Sequence, residues 1–307
     1  MVRCWVVRLM LGFMIAFVPA SGVIRAEDAV TIESQPATLI VKIQGQEFVV
    51  LHHGETFPKP YFWPVRAADG AVLTRPIDPT EKEHPHHRGV WLSVDEVNDI
   101  KFWAERGKIV TTDVKSKSGN PGLIHLRNEW LGHDGKPVLI ETTKIAIHPN
   151  RLITYDFVLA PPTGQLARFD DTKEGLFGIR IAQSMREKEG GVVVNSAGKK
   201  STQECWGQTA NWVDYSGSVD GKTYGVTLMD HPENFRPSRF HVRDYGLFSV
   251  SPFGEGAYQN DPAKAKFVIL DDARPSLRIR YGLYVHNGQA GDGNPGEAYQ
   301  QFLSSTK

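Results

Sequence analysis

Residues 144–159 read KIAIHPNRLITYDFVL, and this stretch decides the fold. Apolar residues recur at every second position on either side of the central tetrapeptide His148-Pro149-Asn150-Arg151. Because successive side chains of a β-strand point to opposite faces, this period predicts two strands that each bury one face. The Pro and Asn between them favour a tight turn, so the stretch predicts an antiparallel hairpin.

The same alternation recurs along the rest of the chain. Asp-Gly pairs at 69–70, 134–135 and 220–221 separate such segments, and both residue types tolerate the positive φ that tight turns require. Further strands are predicted over residues 37–43, 47–51, 61–66, 71–74, 124–131, 138–147, 175–182, 191–194, 211–215, 224–229, 247–250, 266–270 and 276–285. Helical spacing is found only in Pro295–Leu303.

This order of elements predicts an all-β fold, because no helices alternate with the strands. We expect a large antiparallel β-sandwich with a short C-terminal helix. A length of 307 residues suits one such domain, which we place over residues 27–307. Residues 170–175 are the most plausible seam if the chain divides into halves.

The first residues have the order of a secretory signal. Arginines precede the apolar run LMLGFMIAFV, and small residues follow it, with Ala20 and Ala26 as alternative cleavage sites. We predict a signal peptide over residues 1–26 and a periplasmic or secreted mature protein. A buried helix or an uncleaved anchor is the alternative. Because no other long apolar run exists, we expect no membrane span after cleavage.

The charge balance bears on which partners the protein binds, and the cysteine content bears on whether a disulfide stabilises it. Lys+Arg and Asp+Glu number 35 each, so the formal charge is zero and no basic stripe indicates a nucleic-acid partner. Of the two cysteines, Cys4 falls in the predicted signal, so Cys205 has no partner for an internal disulfide. We expect Cys205 to behave as a small buried hydrophobe.

The densest polar group is EHPHHRGVW at residues 83–91. Three histidines and one arginine so close together need more polar partners than a core supplies. Imidazoles transfer protons near neutral pH and also bind metals, so we predict a binding or catalytic loop. His84, His86 and His87 are possible ligands of a divalent metal ion. A loop of exposed or backbone-bonded histidines is the alternative.

Two carboxylates lie near predicted strand ends. Asp95 follows the strand that leaves the His-rich group and could accept a hydrogen bond from one of its imidazoles. Glu174 precedes an apolar strand, where burial would raise its pKa and suit a general base. An ordinary solvated loop is the alternative for both residues.

A third group begins with Asp230 and His231, which end a predicted strand, and continues through a Pro-stiffened loop. Arg236 and Arg243 could bind a carboxylate or sugar hydroxyls. A rigid turn with paired surface charges is the alternative. Most of the seven tryptophans should fill the core, but one or two on an open face would stack on a sugar ring.

Several motifs together resemble one known family. They are YFWPVR at 61–66, HPHHRGVW at 84–91, WVDYSG at 212–217, DHPEN at 230–234, and YG at 245–246 followed by PFG at 252–254. Over nearly the whole mature chain, the sequence resembles the PmoA-like family of exported bacterial proteins. The strand pattern does not suit the methane oxygenase label of that family, whose namesake is a multi-span helical membrane subunit.

The PmoA-like family is in turn similar to the galactose-mutarotase-like supersandwich, a fold of sugar epimerases and carbohydrate-active enzymes. Mutarotase-like sites use a histidine as acid and a carboxylate as base, which implies His86 or His87 as the acid and Glu174 as the base. The residues expected to bind substrate are Arg66, Arg88, Trp91, Asp95, Asp230, His231, Arg236 and Arg243.

We therefore expect an exported carbohydrate-processing enzyme that acts on a sugar or glycoside as an epimerase, lyase or hydrolase. A divalent metal ion on the three histidines would make the chemistry metal-assisted. A non-catalytic carbohydrate-binding protein is one alternative, although it has no use for three clustered histidines. A structural envelope protein is another, and it would need no deep pocket.

Overall fold

A computed structural model of the protein describes Met1 and residues 29–306. The predicted signal peptide, its two cleavage sites and Cys4 lie outside the described residues. Within residues 29–306, each helix is too short or too polar to cross a membrane.

Strands are the predominant regular structure of the described chain. In chain order they are β1 Val30–Gln35, β2 Thr38–Ile43, β3 Gln46–His52, β4 Tyr61–Val65, β5 Val90–Leu92, β6 Glu96–Val97, β7 Ile100–Lys101, β8 Lys108–Lys117, β9 Gly122–Leu131, β10 Pro137–Ile147, β11 Leu152–Ala160, β12 Ala167–Phe169, β13 Phe177–Arg180, β14 Val192–Asn195, β15 Trp212–Val219, β16 Lys222–Asp230, β17 Arg239–Val242, β18 Leu247–Ser251, β19 Val268–Leu270 and β20 Leu277–Asn287.

The strands form two large sheets and one small sheet. The first has eight strands in the order β1-β2-β3-β4-β5-β13-β18-β17, and the second has eight in the order β14-β15-β16-β20-β11-β10-β9-β8. A four-stranded sheet has the order β19-β12-β6-β7. Neighbouring strands run antiparallel. The predicted all-β antiparallel sandwich is confirmed.

The hairpin at residues 144–159 forms as its alternation predicts. Ile145 of β10 pairs with Tyr155 of β11, and the register continues to Ile147 opposite Ile153. These four side chains are buried and belong to the main core between the two large sheets. Burial of their apolar surface, at about 25 cal/mol per Å², is the main stabilising contribution to this layer.

Aromatic rings join the two sheets across the core. Phe177 of the first sheet lies 4.5 Å from Tyr155 and 5.8 Å from Tyr281, both of the second sheet, measured between ring centroids. Cys205 is a free thiol and is fully buried. Packing in the core therefore sets the orientation of the two large sheets. It leaves one face of the first sheet directed away from the second sheet.

The C-terminal helix is confirmed as α4, Pro295–Ser305, which packs Ala298, Tyr299 and Phe302 against the second sheet. Three shorter helices, not predicted, are α1 Ser201–Cys205, α2 Glu255–Gln259 and α3 Ala290–Gly293. They span little more than one turn each, so they show no helical period in the sequence.

Candidate functional site

The first sheet presents a row of side chains away from the main core. Trp91, Gly178, Ser249 and His241 are cross-strand neighbours on β5, β13, β18 and β17. Residues next to them along each strand, such as Phe177, belong to the core. Because side chains alternate along a strand, the row lies on the opposite face. We call it the outer face of the first sheet.

Residues 83–88, which we call the His loop, cross the outer face, and two buried cations hold their backbone. Arg75 donates from Nη2 to the carbonyl oxygen of His84 at 2.8 Å. Lys59 donates from Nζ to the carbonyl oxygen of His86 at 2.9 Å. His84 has a φ of 53°, a left-handed conformation that costs a non-glycine residue on the order of 1 kcal/mol. The two cations stabilise this conformation.

Glu105 pairs with Lys59, one of these two cations, and with Arg88, a side chain of the His loop. Its Oε1 accepts from Lys59 Nζ at 2.9 Å and from Arg88 Nε at 3.0 Å. Arg88, predicted to bind substrate, is therefore engaged within the protein. Its pairing with Glu105 anchors the end of the His loop to the segment after β7.

Four rings form a continuous stack across the outer face. Tyr245 stacks on His84 with 5.4 Å between centroids, His84 on His87 with 4.6 Å, and His87 on Trp91 with 5.3 Å. The angles between successive ring planes are 6°, 4° and 17°. Trp91 is only 1% exposed, so its surface serves packing within the protein and not contact with a ligand.

The predicted metal ligands are close together, but their rings do not converge. One nitrogen from each of His84, His86 and His87 lies within 4.8 Å of the others. The nitrogen lone pair lies in the ring plane, so two ligands of one ion need planes that intersect at the ion. His84 and His87 are stacked with 4° between their planes. A single ion cannot lie in both planes, so this arrangement does not fit a three-histidine metal site.

The three imidazoles are neutral at neutral pH. Burial, followed by the charge of Lys59, lowers the pKa of His86 to about 4. Burial also strongly lowers the pKa of His87, and burial together with Arg180 lowers that of His84. Both ring nitrogens of His87 are buried without a hydrogen-bond partner among the described residues. His84 is the exposed member of the three.

Glu174 is the carboxylate of the outer face. Its side chain is 31% exposed, and Oε2 lies 3.7 Å from His241 Nδ1. Burial raises the pKa of Glu174, and the nearby carboxylate of Asp95 raises it further. Burial, followed by the charge of Arg243, lowers the pKa of His241 to about 3. The charges of Lys173 and Arg243 lower the pKa of Glu174, but burial outweighs them, and the raised pKa suits this carboxyl group to proton transfer.

A cleft of about 240 Å³ lies beside Arg243 and is also lined by Thr202, Gln203 and Trp206. Trp206 is partly exposed, and its ring lies 6.3 Å from His241, the neighbour of Glu174. The indole Nε1 of Trp206 is buried without a partner among the described residues. The cleft thus combines an aromatic surface with polar groups.

Two arginines flank the same tyrosine ring. The guanidinium carbon of Arg180 lies 4.6 Å from the centroid of Tyr245, and that of Arg243 lies 5.8 Å from it. Arg180 belongs to β13 and is 3% exposed, whereas Arg243 follows β17 and is exposed. Tyr245 therefore joins these cations to the ring stack.

Two predicted substrate-binding residues lie at the margins of this arrangement. Asp95 donates its backbone N–H to the carbonyl oxygen of Glu174 at 3.0 Å, and burial raises the pKa of its carboxyl group. Arg66 donates to Glu47 Oε1 at 2.9 Å and to the carbonyl oxygen of Gly70 at 3.1 Å. Arg66 thus belongs to hairpin contacts, while Asp95 adjoins Glu174.

Asp230 and its neighbours form a separate buried network. The Asp230 carboxylate accepts from Asn234 Nδ2 and from the N–H and hydroxyl of Ser238, each at 2.8 Å. His231 accepts from the backbone N–H of Glu233. Arg236, predicted to bind substrate, donates to the carbonyl oxygen of Pro252. These polar groups are used within the fold, so we leave them out of the site.

A second cleft, of about 430 Å³, opens between β20 and α3 and is lined by His286 and Asn287. His286 Nε2 lies 2.7 Å from Asp214 Oδ2, and Nδ1 lies 3.1 Å from the carbonyl oxygen of Asn287. Each ring nitrogen of His286 thus faces an oxygen acceptor, an arrangement that suits the doubly protonated ring. The bond to Asp214 raises the pKa of His286 despite its burial. The cleft lining contains no residue that the sequence predicted to be functional.

Sequence reasoning did not assign a role to several residues of the outer face. Arg180 could have been predicted, because it is the charged residue of the apolar strand FGIRIA. His241 and Tyr245 flank Arg243 in HVRDYG and could have been included with it. The sequence around Lys59 did not indicate a buried cation, because the burial of Lys59 depends on Glu105, which is distant in sequence.

The fold and the site together define an antiparallel β-sandwich protein with a histidine- and arginine-rich outer face. A sequence profile of the family described as "Family of unknown function (DUF6807)" matches residues 38–300. This is more than half of the chain, so the protein belongs to that family. No curated protein matches the sequence.

Solved structures of carbohydrate-active proteins show limited similarity. The galactose 1-epimerase from Lactobacillus acidophilus NCFM has a TM-score of 0.42 at 7% identity, covering 85% of this chain and 98% of that one. The mutarotase YeaD from Salmonella typhimurium, described as putative, has a TM-score of 0.31 at 6% identity, covering 84% and 97%.

The GH36 alpha-galactosidase AgaA from Geobacillus stearothermophilus has a TM-score of 0.38 at 9% identity over 86% of this chain. This chain spans only 41% of the length of that enzyme. Similarity at these scores transfers neither an activity nor a substrate.

Proposed function

We propose that the protein is an exported carbohydrate-processing enzyme that moves a proton to or from a bound sugar through Glu174. The observation that carries the proposal is the half-buried carboxyl group of Glu174, whose pKa burial raises and which lies 3.7 Å from His241, the neighbour of Trp206. A carboxyl group whose pKa is raised by burial holds a proton more readily than an exposed one, which suits it to accept a proton and return it. Epimerisation, elimination and hydrolysis of sugars all need this step.

The sugar lies on Trp206 in this proposal. The C–H face of a sugar ring is apolar and stacks on an indole, and the side chains of Thr202, Gln203 and Arg243 offer hydrogen-bond partners around it. Trp206 takes the role that Trp91 was expected to have, because Trp91 is buried in the ring stack.

A loop histidine supplies the second proton-transfer or hydrogen-bonding group. The sequence favoured His86 or His87, but His87 is 3% exposed and lies between two other rings. His84 is exposed and stacks on Tyr245, so we assign the role to His84. A neutral imidazole there donates a hydrogen bond to the sugar without adding charge.

The proposal is tested by incubating the purified protein with a panel of neutral and acidic sugars and glycosides in D₂O. Proton NMR detects deuterium entry at a sugar carbon, new alkene signals or released reducing ends. We expect turnover of at least one compound and a loss on the order of 100-fold or more in Glu174→Gln. Glu55→Gln, at an exposed glutamate, is the matched control.

The rival class is a non-catalytic carbohydrate-binding protein, which the Trp206 cleft also suits. It predicts that compounds bind without any change in their spectra and that Glu174→Gln binds them as the wild type does. Export is tested separately by the N-terminus of the mature protein, which we expect to follow Ala20 or Ala26. The finer assignment to the PmoA-like family stays a proposal that rests on the sequence motifs.

A further inference from the structure

Arg180 is a buried cation without an acidic partner. Its side chain is 3% exposed, and no carboxylate lies within salt-bridge distance of it among residues 29–306. Its Nη1 is buried without a hydrogen-bond partner in the same residues. The nearby cations differ, because Arg75 pairs with Glu81 at 3.2 Å and Lys59 with Glu105 at 2.9 Å.

An unpaired buried charge is costly, since it loses water without gaining a counter-ion. The face of Tyr245, 4.6 Å from the guanidinium carbon of Arg180, offsets part of this cost. The environment still disfavours the charge, as burial followed by the charge of Arg75 lowers the pKa of Arg180 to about 10. Arg180 remains protonated at neutral pH, and the carboxylate that acts on it, Glu81, is paired with Arg75 and lies beyond salt-bridge distance of Arg180.

Arg243 supplies a second cation at the same ring. It is exposed, lines the Trp206 cleft and has no acidic partner within salt-bridge distance in the described part of the chain. Its positive charge acts on His84, Glu174 and His241. Two guanidinium groups thus contact one tyrosine ring, and an anion bound by both would supply the counter-charge that each lacks.

We infer that the substrate is an acidic sugar whose anionic group binds to Arg180 and Arg243 beside the ring of Tyr245. This inference rests on the proposed function for the position of the sugar ring. A carboxylate or a phosphate ester supplies the required oxygen acceptors, and a planar guanidinium group can bind either of them through two hydrogen bonds. Arg180, within the sheet, fixes the anion, and Arg243 closes over it from the exposed side.

The test is titration calorimetry with three sugars that differ only at C6: D-glucuronate, D-glucose 6-phosphate and D-glucose. We expect one or both anions to bind at least about tenfold more tightly than glucose. Arg243→Gln should remove this preference, so that the two anions and glucose bind with affinities within about twofold of one another. Arg274→Gln, at an exposed arginine without a salt bridge in the described residues, is the matched control. The two anions distinguish a sugar acid from a sugar phosphate.

Results that contradict the inference can be told apart from results that contradict the proposed function. Equal affinity for all three sugars, an anion preference that survives in Arg243→Gln, or no binding of any of them overturns the inference. If the anions bind as expected but Glu174→Gln retains full turnover, the proposed catalytic function fails and the anion site stands. A variant Arg180→Lys, which keeps the buried charge but loses the planar fork, should weaken anion binding several-fold and leave the protein folded.

Discussion

Lys59 Nζ lies 2.9 Å from Glu105 Oε1, although the lysine side chain is only 1% exposed. The same ammonium group binds the carbonyl oxygen of His86. One buried cation therefore joins the His loop to the segment that follows β7, and the conformation of the loop depends on this contact.

Replacement of Lys59 by Met should release the loop and destabilise the protein. Lys59→Met removes two charge-assisted hydrogen bonds, to Glu105 and to the carbonyl oxygen of His86, while Glu105 keeps Arg88 as a partner. We expect a loss of about 3 kcal/mol in the free energy of unfolding. The matched control is Lys222→Met, which breaks the exposed pair of Lys222 and Asp69 and should lower the free energy of unfolding far less. Denaturant unfolding measures both values. Hydrogen exchange at residues 83–88 should quicken only in Lys59→Met, and equal losses in the two variants would contradict the role of Lys59.

The parallel rings of His84 and His87 predict that the purified protein holds no stoichiometric metal. Elemental analysis of the wild type and of a variant with Ala at positions 84, 86 and 87 should give the same low content. One equivalent of a divalent ion in the wild type, lost in the variant, would show that the rings reorient around an ion. Metal-assisted chemistry would then replace the metal-free proposal.

Gly225 of β16 is required by its close contact with His286. A Cβ atom at this position would lie 2.2 Å from Cε1 of the imidazole, whose ring is held by Asp214. We expect Gly225→Ala to cost about 2 kcal/mol or more, because neither the ring nor the strand can move freely. Gly296 of α4 has open space around it, so Gly296→Ala should be neutral or stabilising by up to about 1 kcal/mol. Thermal unfolding of the two variants compares them directly, and a stable Gly225→Ala protein would show that His286 is not fixed.

The bond between His286 and Asp214 should contribute stability that depends on pH. The pKa of His286 is raised in the folded protein above its ordinary value of 6.5. The folded state therefore binds this proton more tightly, and the contribution is complete below pH 6.5 and is lost as pH rises through the folded pKa. Histidines whose pKa is lowered by burial act in the opposite direction, so the difference between wild type and His286→Gln isolates the effect. That difference in the free energy of unfolding should shrink from pH 6 to pH 9, as measured by urea titration.

Much of the sheet architecture was predictable, because period-two alternation is a local signal. The edge strand β8 was missed since most of its residues are exposed or partly exposed and it shows no alternation. Residues 71–74 were predicted as a strand but make only isolated bridges, Val72 with Arg66 and Thr74 with Ile181. Pairing partners decide such short segments, and a single sequence does not show them.

The site was predictable only in part. The sequence predicted the histidine cluster and Glu174 as site residues because polar residues beside apolar strands are conspicuous, and both stay candidates. The shared face of Glu174, His241 and Tyr245 depends on β17 pairing with β18, and no local pattern encodes this contact. Burial of Trp91 likewise follows from the ring stack, which forms only once the loop and the sheet meet.

Arg75 and Lys59 bind the His loop through main-chain oxygen atoms, and this has a consequence for how the site can change over evolution. At positions 84 and 86 these contacts to the main chain do not depend on which side chain the loop carries. Substitutions at positions 84 and 86 can therefore alter what the surface recognises while the loop keeps its place, provided that position 84 receives a residue such as Asn or Gly that tolerates left-handed backbone. The backbone of the loop can thus be kept while the side chains at these two positions change. New binding specificities can therefore evolve without loss of the folded structure.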